Sequence, residues 1–504
     1  MSAHAAPPAP LPKARAAAAT TTAEATAAPA AARRRVLGLR DATLFTLSAI
    51  LVVDTLTASA AIGVQTIGWW ILAIVFFLIP SAMITAELGT AYPDQGGIYS
   101  WVKRAFGERW ASRTTYWYYV NVALWMPSVF LLFTGIFCQL FVSDWADWAA
   151  GKWWQVGIAI ACTWAVVWVG VLTLDVGKWV NNLGALLKVA IILALGVGGV
   201  VVALGDGSAN PITAGDALPS LGDAKTYLPV IIFMMLGFEL ISSLSEEVKQ
   251  PEKIIPRTLF SSGAILAFLY VFATIGILLA LPLSDLGLVE GLVDTFKQIF
   301  GTSGVGEVLV YVLGIAAMYT FFTNMTTWSM GANRSAQEAA VSGELPELLG
   351  REHPVRRTPV GAYVVSGVVA TAVLLFAAIF VDSQDDLFYA IFSASAVVFL
   401  MPYMLLFPAV VALRRKDPDT PRPYKVPGGT GFLTVLSVIT TVIIFATFLL
   451  FLWPEIPSAP AAWSFTGPLL AIVGVTLVVG EIIVARQMRR MKADGRLEKG
   501  EDIT

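Results

Sequence analysis

The stretch ATLFTLSAILVVDTLTASAAIGV, residues 42–64, is apolar over its whole length except for one carboxylate, Asp54, near its centre. A second stretch, LPVIIFMMLGFELISSLSEE at residues 228–247, carries Glu239 at mid-length in the same way. A helix rises about 1.5 Å per residue, so about twenty apolar residues cross a hydrocarbon core of about 30 Å. Working outward, ten further runs of this kind give twelve expected spans near 41–64, 68–90, 114–141, 154–174, 180–204, 227–247, 259–281, 306–333, 359–381, 386–413, 431–453 and 465–485. The composition agrees: 57% of the residues are hydrophobic and 13% charged, against about a quarter charged in soluble domains. With a mean hydropathy of +0.73, the chain reads as an all-α integral membrane protein.

The placement of charge says more than the net value of −2. Of the 33 lysines and arginines, only Lys152, Lys225 and Lys297 fall in the loops of one side, and Lys188 lies inside the fifth span. The others share the opposite side, which by the positive-inside rule places both termini in the cytoplasm of a plasma (inner) membrane protein. Cys138 and Cys162 lie in apolar runs, and His4 and His353 lie in a tail and a polar loop. Nothing here points to a disulfide framework, a zinc site or a His-based triad. No G-x-x-x-x-G-K-[ST] run is present, and no nucleophile, base and metal ligands cluster. The expectation is no enzyme, no cofactor and no nucleic-acid partner.

Ionisable groups inside a bilayer cost several kcal/mol, roughly, and mark function by default. Spans 1 and 6 hold them beside polar interruptions: Asp54-Thr55-Leu56-Thr57 in one, and Gly237-Phe238-Glu239 with Ser242-Ser243 in the other. They stand five spans apart, and an odd spacing inverts the second copy. Spans 1–5 and 6–10 therefore read as inverted repeats whose broken first helices meet at mid-membrane. Free N–H groups at such breaks attract a carboxylate, and free carbonyls attract an ammonium or cation. A zwitterionic amino acid suits the pair.

Four motifs carry a resemblance. Tyr92-Pro93-Asp94-Gln95-Gly96-Gly97-Ile98-Tyr99 with Phe106-Gly107 resembles the first cytoplasmic loop of the amino acid, polyamine and organocation (APC) superfamily. Gly237-Phe238-Glu239 with Glu246-Glu247-Val248-Lys249-Gln250-Pro251 and Ile255-Pro256 resembles its span 6 and following loop. Asn333-Arg334 with Gly343-Glu344-Leu345-Pro346 and Thr358-Pro359 is similar to its loop after span 8, and Arg422-Pro423-Tyr424-Lys425-Val426-Pro427 to the one after span 10. Phe76-Phe77-Leu78-Ile79-Pro80, Ala86-Glu87-Leu88 and Trp328-Ser329-Met330-Gly331-Ala332-Asn333-Arg334 look most like the glutamate/GABA antiporter branch. One departure is the lack of a G-x-G break in span 1, which must open instead within Val53–Ala60.

The resemblance implies a LeuT-type 5+5 inverted repeat with two peripheral helices. It divides the chain into a disordered cytoplasmic tail (1–32), a ten-helix transport core (33–413, repeats about 41–204 and 227–413), two peripheral transmembrane helices (414–485) and a basic, polar cytoplasmic tail (486–504). It further implies a secondary active transporter of amino acids or related amines, working by alternating access as an exchanger or proton-coupled symporter. An ion or solute channel is the rival, but channels need rings of like groups or a continuous polar stripe. Expected partners are the small-molecule substrate, protons and membrane lipid, the last at Arg486–Arg490. Oligomeric state is not fixed by the sequence.

Expected substrate-site residues are Asp54, Thr55, Thr57 and Ala58 in span 1, Asn121 and Trp125 in span 3, Gly237 and Phe238 in span 6, and Thr323 and Asn324 in span 8. Asp54 faces an ammonium, binds a cation or pairs internally; the hydroxyls line the site or satisfy carbonyls freed by the break. The proton-coupling candidates are Glu239 and Lys188. Lys188 either snorkels to the surface or, as the resemblance implies, takes the place of a sodium ion between spans 1 and 8. Glu87, near the cytoplasmic end of span 2, reads as structural or interfacial.

Overall fold

The computed structural model describes residues 37–496 apart from 54, 94–95, 146, 173–175, 223, 287–290, 382–383 and 453–462. Within them the regular elements are helices, together with one isolated bridge that joins Leu37 to Val248. In chain order they are α1 (Leu39–Ile50), α2 (Leu56–Ala60), α3 (Thr66–Ala73), α4 (Ile79–Ala91), α5 (Ile98–Phe106), α6 (Glu108–Phe141), α7 (Trp148–Leu172) and α8 (Val176–Asp206). Next come α9 (Ala224–Phe233), α10 (Pro251–Ala280), α11 (Gly291–Phe300), α12 (Gly304–Val341), α13 (Val360–Phe380), α14 (Gln384–Lys416), α15 (Gly429–Leu452) and α16 (Trp463–Ala493). A π-helical turn, Ile74–Leu78, splices α3 to α4, and a tight 3-10 stretch, Phe238–Glu247, follows α9.

Among the described residues, eleven segments are long and apolar enough to cross a membrane. The twelfth expected span, 41–64, is split into α1 and α2, neither of which has that length. Other boundaries move outward. The α10 helix starts at Pro251 rather than near 259, because proline is well placed at a first helical position after the left-handed Gln250 (φ 45°). The α12 helix runs to Val341 instead of 333, since Arg334 and Gln337 find partners in Glu247 and Glu352. The expected polar tail from 486 is helical as far as Ala493. The first 36 residues lie outside the described set.

The outward surface is apolar: Phe268, Val312, Val442 and Val475 are all exposed, as suits lipid and not water. Apolar around most of its circumference, α6 is buried against α7, α12, α13 and α14. Trp153 and Trp154 are exposed, whereas Trp70 is fully buried against Tyr270, with centroids 5.0 Å apart.

The two interrupted elements lie against each other in opposite senses. The α1 helix touches the Phe238–Glu247 stretch, and α2 touches α9. At one end they are tied by backbone, with Leu37 N–H donating to Glu247 O (2.9 Å) and Lys249 N–H to Leu37 O (2.9 Å). The short α5 explains the glycine pair before it. Gly97 has φ +51°, and a Cβ there would stand 2.9 Å from Ser243 Oγ and 3.2 Å from Ser243 N. Only a residue without a side chain lets this loop close on the second break. Ile98, Trp101, Val102 and Ala105 then bury one face of α5 while Arg104 stays out.

Candidate substrate site at the two helix breaks

The end of α1 leaves backbone carbonyls without intrahelical partners, and three side chains from three helices fill that need. Lys188 Nζ on α8 donates to Ser48 O (2.6 Å), Trp328 Nε1 on α12 to Ala49 O (2.9 Å), and Tyr270 Oη on α10 to Ile50 O (3.1 Å). Tyr270 Oη also accepts from Val52 N–H (2.8 Å), so one phenol spans the break. An ammonium at a helix C-terminus is favoured by the helix dipole. Lys188 is buried and extends to Asn324 Oδ1 (2.8 Å), which joins α1, α8 and α12 and leaves no snorkelling role.

The second break is made by Gly237. Its φ of +113° is open to glycine, and a Cβ there would meet Trp328 Cζ2 at 2.9 Å. Glu239, just past it, is buried, and its Oε1 accepts from Tyr118 Oη of α6 (2.9 Å) and Tyr403 Oη of α14 (2.7 Å). Beside it a cavity of about 10 Å³ is bordered by Ser81, Thr85, Gly237, Glu239 and Tyr403. That is room for a single water at most beside the carboxylate.

Near the breaks, Thr55 Oγ1, Thr57 Oγ1 and Trp125 Nε1, with both ends of the Asn121 carboxamide on the same helix as Trp125, are buried polar atoms with no partner among the described residues. Aromatic rings pack around Trp125, with Trp125–Phe233 at 5.5 Å, Trp125–Trp328 at 5.7 Å and Trp328–Phe399 at 5.2 Å between centroids. Asp54 and the side chain of Ala58 lie outside the described residues. Two expected residues face elsewhere. Thr323 packs on α8, its Oγ1 2.3 Å from where a Gly184 Cβ would be, and it donates to Thr320 O (3.0 Å). The ring of Phe238 lies toward Gly263 of α10, and the aromatic side chain at Gly237 is Trp328.

Tyr118, Tyr270, Trp328 and Tyr403 are the candidate-site side chains that sequence reasoning missed. Tyr118 was within reach: it stands three and seven residues before Asn121 and Trp125, hence on their face of α6. For Tyr270 and Tyr403 no local signal exists.

The pattern that defines amino acid permeases matches residues 37–479 of this chain. The chain belongs to the amino acid permease family. This places it in the APC superfamily, among membrane transporters. The permease is 34% identical to a probable agmatine/putrescine antiporter of Lactococcus lactis over 90% of its own length and 95% of the relative's. It is 27% identical to an uncharacterized transporter of Legionella pneumophila, over 81% and 87% of the two chains. To a glutamate/gamma-aminobutyrate antiporter of Lactococcus lactis it is 23% identical, over 87% of each.

Away from the breaks the permease is tied together by charge. Glu87 at the end of α4 receives Arg414 Nε (2.9 Å) and Nη2, the Val426 N–H (2.7 Å) and the nearby Arg422 (3.5 Å). Arg334 of α12 pairs with Glu247, just past the second break. Lys103 of α5 pairs with Glu344 (2.6 Å) and Glu108 (3.0 Å), and Tyr99 Oη donates to Glu344 (2.8 Å). Each motif of the resemblance thus supplies a residue to one of these ties.

Proposed function

We propose that this permease is a twelve-span secondary transporter of cationic amines and related amino acids, exchanging them across the plasma membrane by alternating access. Its termini are cytoplasmic, and spans 1–5 and 6–10 form inverted repeats that close around the two breaks, with residues 414–485 outside the core. The carrying observation is the set of unpartnered buried groups at Thr55, Thr57, Asn121 and Trp125. Buried polar atoms are costly unless bonded, and a substrate seated between the breaks would bond them.

Aromatic faces and the Glu239 carboxylate favour a positively charged ligand. The relative named as an agmatine/putrescine antiporter supports the same class, since both compounds are cationic amines. Lys188 fills with its own ammonium the position between α1 and α12 where a coupling cation would sit, so transport needs no sodium. Glu239, held by two neutral phenols, is the proton-responsive group. A channel fits poorly with a cavity of about 10 Å³ at the second break.

The test is uptake into proteoliposomes of labelled putrescine, agmatine, glutamate, 4-aminobutyrate and leucine, with and without internal substrate. Saturable amine uptake stimulated by internal amine is expected, and Asp54→Asn should weaken amines most if that carboxylate meets the ammonium. Non-saturating conductance, or uptake confined to anionic or neutral compounds, would overturn this reading.

A further inference from the structure

One face of α16 changes character along its length. Ile472, Val475, Val479 and Ile483 line an apolar groove of about 470 Å³ shared with α6 and α13. Gln487, Arg490, Met491 and Asp494 continue the same face at helical spacing and line a pocket of about 400 Å³. The segment after α12 is the common wall: Leu348 and Leu349 border the groove, while Glu347 and Arg351 border the pocket. Arg496 closes the pocket over Gly343, its Nη1 3.3 Å from the position of a Cβ there.

We propose that this continuous surface binds one anionic phospholipid, its acyl chain in the groove and its phosphodiester on Arg351, Arg490 and Arg496. The groove lining on α16 runs from Ala471 to Ile483, about 18 Å at about 1.5 Å per residue, which is the reach of one acyl chain. Its wall is almost wholly apolar side chains that water would not fill. Guanidinium groups match phosphate oxygens in a two-pronged geometry, and basic pockets beside transmembrane helices are suited to anionic headgroups. None of the three arginine side chains is engaged in an ion pair among the described residues. Glu347 and Asp494 temper the charge and would accept hydrogen bonds from headgroup hydroxyls. A phosphatidylglycerol therefore fits better than a phosphatidylcholine, whose methylated ammonium donates none. The site lies apart from the helix breaks and does not depend on what is transported.

The full chain, delipidated in detergent, is titrated with phosphatidylglycerol, phosphatidylcholine or free glycerophosphoglycerol and read by native mass spectrometry. One phosphatidylglycerol is expected to be retained about tenfold more strongly than phosphatidylcholine, with the free headgroup failing to displace it. Arg351→Gln, Arg490→Gln and Arg496→Gln together should abolish the preference, and Ala471→Trp with Ala372→Trp should lower retention of both lipids. Equal retention of the two lipids by the unaltered chain overturns the proposal whether or not the variants fold. So does displacement by the free headgroup, which would make this a soluble-anion site, or a preference that survives the triple substitution.

Discussion

Glu87 and Glu239 are both 1% exposed in an apolar bundle, yet they are held by opposite kinds of partner. Glu87 receives a guanidinium at both oxygens, a backbone N–H and a second arginine close by. Glu239 receives two phenols and no cation. Full charge pairing makes the first a fastener between α4, α14 and the segment before α15. Neutral donors leave the second with no opposing charge among the described residues. The polarity of their partners, more than their depth, separates these two buried carboxylates.

The largest effect should come from breaking the fastener. Glu87→Ala strands Arg414 in the interior, a loss of about 3–5 kcal/mol for a broken buried pair. Glu87→Ala with Arg414→Met removes both charges, and Arg422 keeps carbonyl partners at Thr420, Leu413 and Asp417. Thermal melting of the purified chain should fall sharply in the single variant and recover much of the loss in the double. A double variant that melts as low as the single would refute the pairing account.

Next comes Lys188→Met, which keeps the stem but leaves Ser48 O and Asn324 Oδ1 without this donor. An unsatisfied buried acceptor costs about 1–3 kcal/mol, here spent at the hinge of α1, so amine uptake should drop at least about tenfold while the chain still folds. Uptake by the unaltered protein should be equal in sodium and potassium buffers. A variant that transports normally would reduce Lys188 to helix packing.

The membrane class, the span positions and the two breaks were legible because about twenty apolar residues and a central carboxylate are local signals. So was Lys188, whose depth was countable along one helix. The partners were not. Tyr270 and Tyr403 look like any aromatic in a span until the bundle brings them beside Val52 and Glu239. Thr323 was misjudged for the complementary reason: depth along α12 was readable, but the face it presents is set by the close approach of α8 at Gly184. Span ends were misread wherever polar residues stay helical by pairing across the bundle, as Arg334 does with Glu247.

A smaller effect is expected from Glu239→Gln. The carboxamide oxygen still accepts from both phenols, so melting should change by no more than about 1 kcal/mol in stability. Uptake of cationic amines should fall and its dependence on pH flatten, with leucine uptake affected less. An unchanged pH profile would move proton coupling away from the second break.

The smallest effect on transport is expected at a third carboxylate, intermediate between the two. Glu344 in the loop after α12 has a fully buried side chain and accepts from Lys103 and Tyr99, with Glu108 close by. Burial, then the hydrogen bond to Glu108, push its carboxyl up to about 8, and Lys103 only partly opposes them. The folded chain therefore keeps a proton that the unfolded chain releases near its ordinary value of 4.5. A group raised in this way stabilises most at low pH, and its contribution declines as pH rises from about 4.5 to about 8, then levels off. Lys103 is itself a third exposed and its charge, held well above the usual lysine range, persists throughout that window. One buried carboxyl titrating across this window changes stability by no more than a few kcal/mol, roughly. Melting temperature should accordingly slope downward by a few degrees, roughly, between pH 5 and 8. Glu344→Gln, which is neutral at every pH, should flatten that slope. Equal slopes in the unaltered chain and Glu344→Gln would show that Glu344 is ionised beside Lys103 across the range, a fastener of the Glu87 kind.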